Sequence, residues 1–190
     1  MTNLHTQNSS HTAVPDQSTV APPCKRVCLG HAHVYGDAID TDRIIAGKYT
    51  KTLDTGELAA HVLEDLDPEF RARLKAGDIL VAGEHFGCGS SREQAPLALK
   101  AAGVGVVIAK SFARIFFRNA INIGLPVLEV PELVVENGDQ LEIDLENGVV
   151  INLTRNFRAQ GTKLPPVMLR ILNSGGLVPF LRAGGTFHDV

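Results

Sequence analysis

The densest run of chemically capable residues is Gly83-Glu84-His85-Phe86-Gly87-Cys88-Gly89-Ser90-Ser91-Arg92-Glu93. Three glycines fall within the seven positions 83–89, which dictates a sharply turning loop. An apolar run precedes it and a helix-like stretch follows. A junction of that kind presents unpaired backbone N–H groups and the positive end of a helix dipole. It suits an anion such as a substrate carboxylate. Arg92, placed in the first helical turn, gains nothing from the dipole there. A guanidinium at that point makes chemical sense opposite an acid or a bound carboxylate, which it grips with two hydrogen bonds. A plain capped helix after a tight turn accounts for the same residue types, and local chemistry alone leaves the two readings level.

Known loop signatures narrow the chemistry. The dinucleotide pattern needs a third glycine where Arg92 stands. The phosphate loop needs a Gly-Lys-Ser/Thr sequence, and no lysine is present. The hydrolase elbow needs glycine two residues to either side of its serine, and neither serine meets that condition. A second cluster, Asp37, Asp40, Thr41 and Asp42, lies in a polar, glycine-containing segment. Asp40 and Thr41 suit side-chain capping of a turn. Lys48 and Lys51 follow as loop lysines. Cys24, Cys28, His31 and His33 lack a standard zinc spacing, so no metal site is expected. Helix capping and a charged face explain Lys110, Ser111, Arg114 and Arg118. Packing explains Phe112, Phe116 and Phe117.

The elements that must position these groups follow from periodicity. Residues 26–35 read as a first strand and 36–52 as a loop. Leu58, Val62 and Leu63, with Ala59 beside them, form the apolar stripe of a helix opening at Thr55. Asp67-Pro68 begins a second short helix, ended at Ala76-Gly77. Residues 78–82 suit a buried strand. Ser90 or Ser91 is expected to cap a helix over 92–102, with Glu93 or Gln94 completing a capping box. Pro96 argues for a late start or a bend. A strand over 104–109, a helix over 111–122 and a strand over 125–130 come next. Residues 139–145 and 149–153 flank Glu146-Asn147-Gly148, a strong hairpin signal. A late helix over 164–172 and a short end segment over 175–181 complete the body. The sum is an α/β fold with a mixed sheet flanked by helices, plus a C-terminal β-hairpin region.

Composition sets the outer bounds. The 190 residues fit one folded body plus tails, and 44% hydrophobic with 21% charged residues is ordinary for a globular chain. A net charge of −3 implies no basic surface for nucleic acid or anionic membrane. Three cysteines make no disulfide framework. Residues 1–24 are polar and read as a disordered tail, 25–182 as the folded domain and 183–190 as a C-terminal tail. With no apolar span and no signal peptide, the expectation is cytoplasmic.

Three ordered motifs carry a family resemblance. Gly87-Cys88-Gly89-Ser90-Ser91-Arg92-Glu93, followed by Ala95-Pro96, resembles the signature of the swivelling domain of the aconitase superfamily. Gly36-Asp37-Ala38-Ile39-Asp40-Thr41-Asp42-Arg43-Ile44-Ile45 matches before it. Ala109-Lys110-Ser111-Phe112-Ala113-Arg114-Ile115-Phe116-Phe117-Arg118-Asn119-Ala120 matches after it. The resemblance is especially to small subunits of the 3-isopropylmalate dehydratase group and spans roughly 26–181.

The resemblance implies a swivelling β/β/α domain and a hydro-lyase active only with a large partner subunit, as a heterodimer or heterotetramer. It implies a 4Fe–4S cluster held by that subunit's cysteines, with none bound by this chain alone. The substrate class is a small di- or tricarboxylate. Ser90 maps to the base that removes the α-proton, and Arg92 to the carboxylate clamp. Ser91, Thr41 and Asp42 border the substrate. Residues 46–52 occupy the substrate-selecting loop, where Lys51 could meet a distal carboxylate as a point charge. Ala46 stands where relatives often have proline, and Thr50 where leucine is common. These departures leave the substrate open among isopropylmalate, homoaconitate, dimethylmalate, maleate and citraconate types. The competing reading is a non-catalytic carboxylate-binding or regulatory module of the same fold.

Overall fold

The computed structural model describes residues 27–52 and 54–187. The N-terminal tail expected over 1–24 lies outside the described residues, as do Cys24 and Arg26. Seven strands form one sheet in the order β4-β3-β2-β1-β5-β6-β7. Strands β1 (Val27–Val34), β2 (Ile79–Ala82), β3 (Val106–Ala109) and β4 (Val127–Glu129) run parallel. Strands β5 (Gln140–Asp144), β6 (Val149–Asn152) and β7 (Phe157–Gln160) continue antiparallel from β1. The expected hairpin is β5–β6, and it belongs to the main sheet rather than to an appended region. The sheet curls until its ends nearly meet: the Thr162 N–H, just past β7, donates to the Glu129 carbonyl of β4 at 2.9 Å.

The two faces of the sheet differ. One carries Leu80, Ala82, Val107, Ala109 and Val127 into a core shared with the helices. These are α2 (Thr55–Ala60), α4 (Gln94–Ala102), α5 (Arg114–Ile123), α6 (Pro166–Asn173) and α7 (Leu177–Arg182), with α1 (Thr41–Ile44) and α3 (Phe70–Arg73) as single turns. The other face buries Ile79, Val81, Ile108, Leu128, Ile143 and Val150 inside the curl. Central strands buried on both faces explain why β2 and β3 read as unbroken apolar runs rather than as alternating patterns.

Several boundaries correct the sequence reading. Helix α4 starts at Gln94, and neither Ser90 nor Ser91 caps it; Glu93 holds the cap position without a side-chain bond. Pro96 explains the delay, because it falls third in the helix, where its missing N–H costs nothing. Arg92 therefore lies before the helix, not in its first turn. Helix α5 likewise begins at Arg114, and Ser111 does not cap it. The segment read as a loop over 36–52 contains α1 and a 3-10 turn, Gly47–Tyr49. The final segment is helical, and β7 has no counterpart in the sequence reading.

Candidate active site

Strands β1, β2 and β3 end side by side, with Val34 opposite Val81 and Ala82 opposite Ala109. The three loops that leave them hold the three motifs. A ligand site at the carboxyl ends of parallel strands is the general expectation for such sheets. Here the loops continue the sheet's own bonding. The Ala38 N–H donates to Glu84 O at 2.7 Å, Gly87 N–H to Ile39 O at 2.8 Å and Thr41 N–H to Cys88 O at 3.0 Å. On the other side, Phe86 N–H donates to Ser111 O at 3.0 Å and Ala113 N–H to Phe86 O at 2.9 Å. The Ser90 loop is thus held between two neighbours by main-chain bonds.

Side chains tighten the same frame. The Asp37 carboxylate accepts the Glu84 N–H at 2.8 Å, and Ser111 Oγ accepts the His85 N–H at 2.9 Å. Asp40 caps α1 by accepting the Arg43 N–H at 2.8 Å, as its residue type suggested. Thr41 is buried, and its hydroxyl donates to the Ser90 carbonyl at 3.0 Å. Beneath the loop, Phe86 is fully buried and meets Phe112 and Phe116 edge-on at 5.9 and 5.1 Å. Gly87 sits at φ +75°, and a Cβ there would lie 2.2 Å from Phe116 Cγ. Only glycine satisfies both the backbone angle and the space.

A cavity of about 370 Å3 opens over this frame. Thr41, Ser90 and Arg92 form one wall, and Ala113, Arg114, Phe116 and Asn119 the other. Ser90 is exposed, and its hydroxyl makes no hydrogen bond among the described residues. Arg92 is largely covered and pairs through Nη1 with the more exposed Asp42. The turn at Gly47 borders that pair, its Cβ direction ending 3.5 Å from Asp42 Oδ1. The first turn of α5 lines the cavity, so the free N–H groups at this site come from α5 rather than α4.

Ser91 and Lys51 are exposed and outside the cavity lining. Lys51 makes no ion pair among the described residues. Lys48 is engaged by Glu64 at 2.9 Å and lies over the Tyr49 ring, which stacks on His61 at 4.0 Å. The bond to Glu64 raises the Lys48 ammonium above its ordinary value. Burial works to raise the Glu64 carboxyl, but bonds from Lys48, His61 and Tyr49 outweigh it and hold the pKa low. The Gly47–Tyr49 turn is therefore anchored to Glu64 and His61. His85 is exposed and outside the cavity. Arg114, which a charged helix face sufficed to explain from sequence, and Asn119 both line the cavity. The available signal was the one used for Arg92: a cation at the start of a helix, opposed by the dipole.

A larger depression, about 460 Å3, lies at the opposite edge of the parallel strands between Val27, Gly77, Gly105 and Leu125. Lys100, which lines it, donates to the Ile123 and Gly175 carbonyls. Among the described residues no three His, Cys, Asp or Glu side chains gather as a metal site. Cys28 is at the start of β1 and Cys88 in the site loop. No helix among them is long and apolar enough to cross a membrane.

Residues 38–133 match the family model of the aconitase C-terminal domain. A 3-isopropylmalate dehydratase small subunit from Caldicellulosiruptor saccharolyticus is 57% identical over 155 residues, covering 80% of this chain and 90% of that one. A 2,3-dimethylmalate dehydratase small subunit from Eubacterium barkeri is 51% identical, covering 81% and 96%. The solved 3-isopropylmalate dehydratase structure from Methanocaldococcus jannaschii superposes with a TM-score of 0.80 at 45% identity, covering 83% of this chain and 95% of that one. The chain belongs to the aconitase C-terminal domain family, in the branch of dehydratase small subunits.

Proposed function

We propose that this chain is the small subunit of a hydro-lyase acting on a 3-isopropylmalate-type substituted malate, with Ser90 as its base and Arg92 as its carboxylate clamp. The observation that carries the reading is the shared cavity: a free serine hydroxyl, a guanidinium and the first turn of α5 converge on one space. Loss of water from a hydroxy acid takes a proton from one carbon and hydroxide from its neighbour. The residues of this chain account for the proton. A serine hydroxyl is a weak base without help, and His85 is not placed to activate it. The free N–H groups of α5 and the charge of Arg92 would stabilise a serine alkoxide in a site closed by the partner. Asp42 holds one end of the Arg92 fork and leaves its other donors for substrate. Thr41 positions Ser90 through its carbonyl. Ser91 and Lys51, facing outward, meet substrate from the side that the large subunit closes. In this reading the 4Fe–4S cluster is carried by the large subunit, and the two chains act in the cytoplasm.

The test is reconstitution with a candidate large subunit, anaerobic cluster assembly and a panel of hydroxy diacids that includes 3-isopropylmalate and 2,3-dimethylmalate. The Ser90→Ala complex should lose about 10²- to 10⁴-fold in kcat, the usual contribution of a general base, with KM nearly unchanged. Arg92→Lys should chiefly raise KM. Normal turnover by Ser90→Ala would remove the serine from the mechanism. An inert wild-type complex that still binds dicarboxylates would favour the regulatory module.

A further inference from the structure

We infer that Arg114, assisted by Asn119, forms a second carboxylate subsite in the Ser90 cavity and binds the carboxylate of a diacid that Arg92 does not hold. The inference rests on the hydro-lyase reading above for its substrate class. Its support is independent of Ser90.

The charge balance of the cavity points to Arg114. Two arginines line it, Arg92 and Arg114. Asp42 pairs with one end of the Arg92 fork. Arg114 is exposed and makes no ion pair or hydrogen bond among the described residues. It is also the first residue of α5, whose first turn contains no acid. A cation there opposes the helix dipole and lowers the stability of the helix. An uncompensated guanidinium beside free N–H groups creates a concentrated positive region on one wall. An anion bound there would be met by both. Asn119 lines the same wall, and its amide can donate to a carboxylate oxygen. Ile115 and Phe116 supply apolar lining between them, suited to the alkyl part of a substituted malate. Arg118 is exposed on the same helix but outside the cavity lining, which makes it the natural control.

The experiment uses the complete complex with its cluster assembled. Binding of malate and of a monocarboxylate analogue, 2-hydroxybutyrate, is measured by calorimetry for wild type, Arg114→Gln, Arg114→Lys, Asn119→Ala and Arg118→Gln. Arg114→Gln should weaken malate by ~10- to 100-fold, the loss of a charge-assisted pair, and leave 2-hydroxybutyrate within about threefold. Arg114→Lys should recover part of the loss, since the charge remains without the planar fork. Asn119→Ala should lose less, in the same direction. Unchanged malate binding by Arg114→Gln overturns the inference. So does an equal loss with Arg118→Gln, which would indicate bulk charge alone. A weakened association between subunits, with malate affinity intact in the assembled complex, overturns it by assigning Arg114 to the partner interface. Calorimetry needs no turnover, so a wild-type complex that binds malate but dehydrates none of the hydroxy diacids in the panel sinks the hydro-lyase reading and still decides the role of Arg114.

Discussion

Gly87→Ala tests the frame beneath the candidate active site. Gly87 adopts φ +75°, and a methyl group there would lie 2.2 Å from Phe116 Cγ and 2.5 Å from its Cβ. An alanine in left-handed backbone costs about 1–2 kcal/mol. Forcing an extra methyl into packed core adds about 1–3 kcal/mol. The sum is about 2–5 kcal/mol, a large share of the stability of a domain this size. The neighbouring bond from Gly87 N–H to Ile39 O, 2.8 Å long, would stretch as the loop moves, carrying Ser90 with it. Urea denaturation should show the loss in midpoint with little change in slope. The reconstituted complex should also lose kcat, since the serine is displaced. Phe116→Ala removes the ring part of the clash, at 2.2 Å from Cγ, and keeps the contact with Cβ. Alone it should cost about 3–5 kcal/mol, but combined with Gly87→Ala the two losses should fall short of additive by at least about 1 kcal/mol. A loss below about 1 kcal/mol for Gly87→Ala, or strict additivity in the pair, would refute this account of the loop.

Other consequences can be measured separately. Asp42→Asn frees the Arg92 guanidinium from its ion pair; KM should rise several-fold while stability changes by less than about 1 kcal/mol, as for exposed pairs. Asp78 is buried and bonded to His33 Nε2 at 3.0 Å and to the N–H groups of Lys75 and His31. Burial works to raise its carboxyl pKa, yet those bonds outweigh it and hold the value low. The unfolded aspartate titrates near about pH 3.9, so in acid the unfolded chain binds the extra proton. The stabilisation is complete above that pH and lost as pH falls through the lower folded value. Asp78→Asn should flatten the wild-type loss of stability between about pH 5 and about pH 2; parallel curves would show that Asp78 contributes no pH dependence. Asn152, fully buried, donates to Val134 O and Asp139 Oδ2 at 3.0 and 2.8 Å. Asn152→Leu should cost about 2–4 kcal/mol by thermal denaturation, because Asp139 is left short of a buried donor.

Legibility followed the reach of the interactions. The buried strands β2 and β3 and the Asn-Gly hairpin were readable because apolar runs and turn residues act locally. The Ser90 loop was readable as a strand-to-helix junction, and the order of the three motifs placed it in a family. The caps are not legible locally, since serine followed by Glu93 satisfies the local rule while Pro96 decides the actual start. Strand β7 was invisible because of its four residues only Ala159 is buried, and pairing with β6 makes the rest extended. Turn α1 depends on Cys88 O accepting the Thr41 N–H from 47 residues away, which no local pattern carries. Arg114 was discounted because a charged helix face explains any exposed arginine; its position against Ser90 is a property of the folded loops.

The main-chain ladder that joins the three site loops separates two kinds of heredity. The serine is placed by carbonyls and N–H groups of Ile39, Glu84, Phe86 and Ser111, atoms common to all residue types. The cavity wall is made of side chains such as Ile115 and Asn119, which can be exchanged without touching those bonds. On the proposed reading, such an architecture would let preference for one diacid drift into preference for another while Ser90 keeps its place. A library randomised at positions 48, 51, 115 and 119 should therefore yield altered substrate rankings far more often than dead proteins.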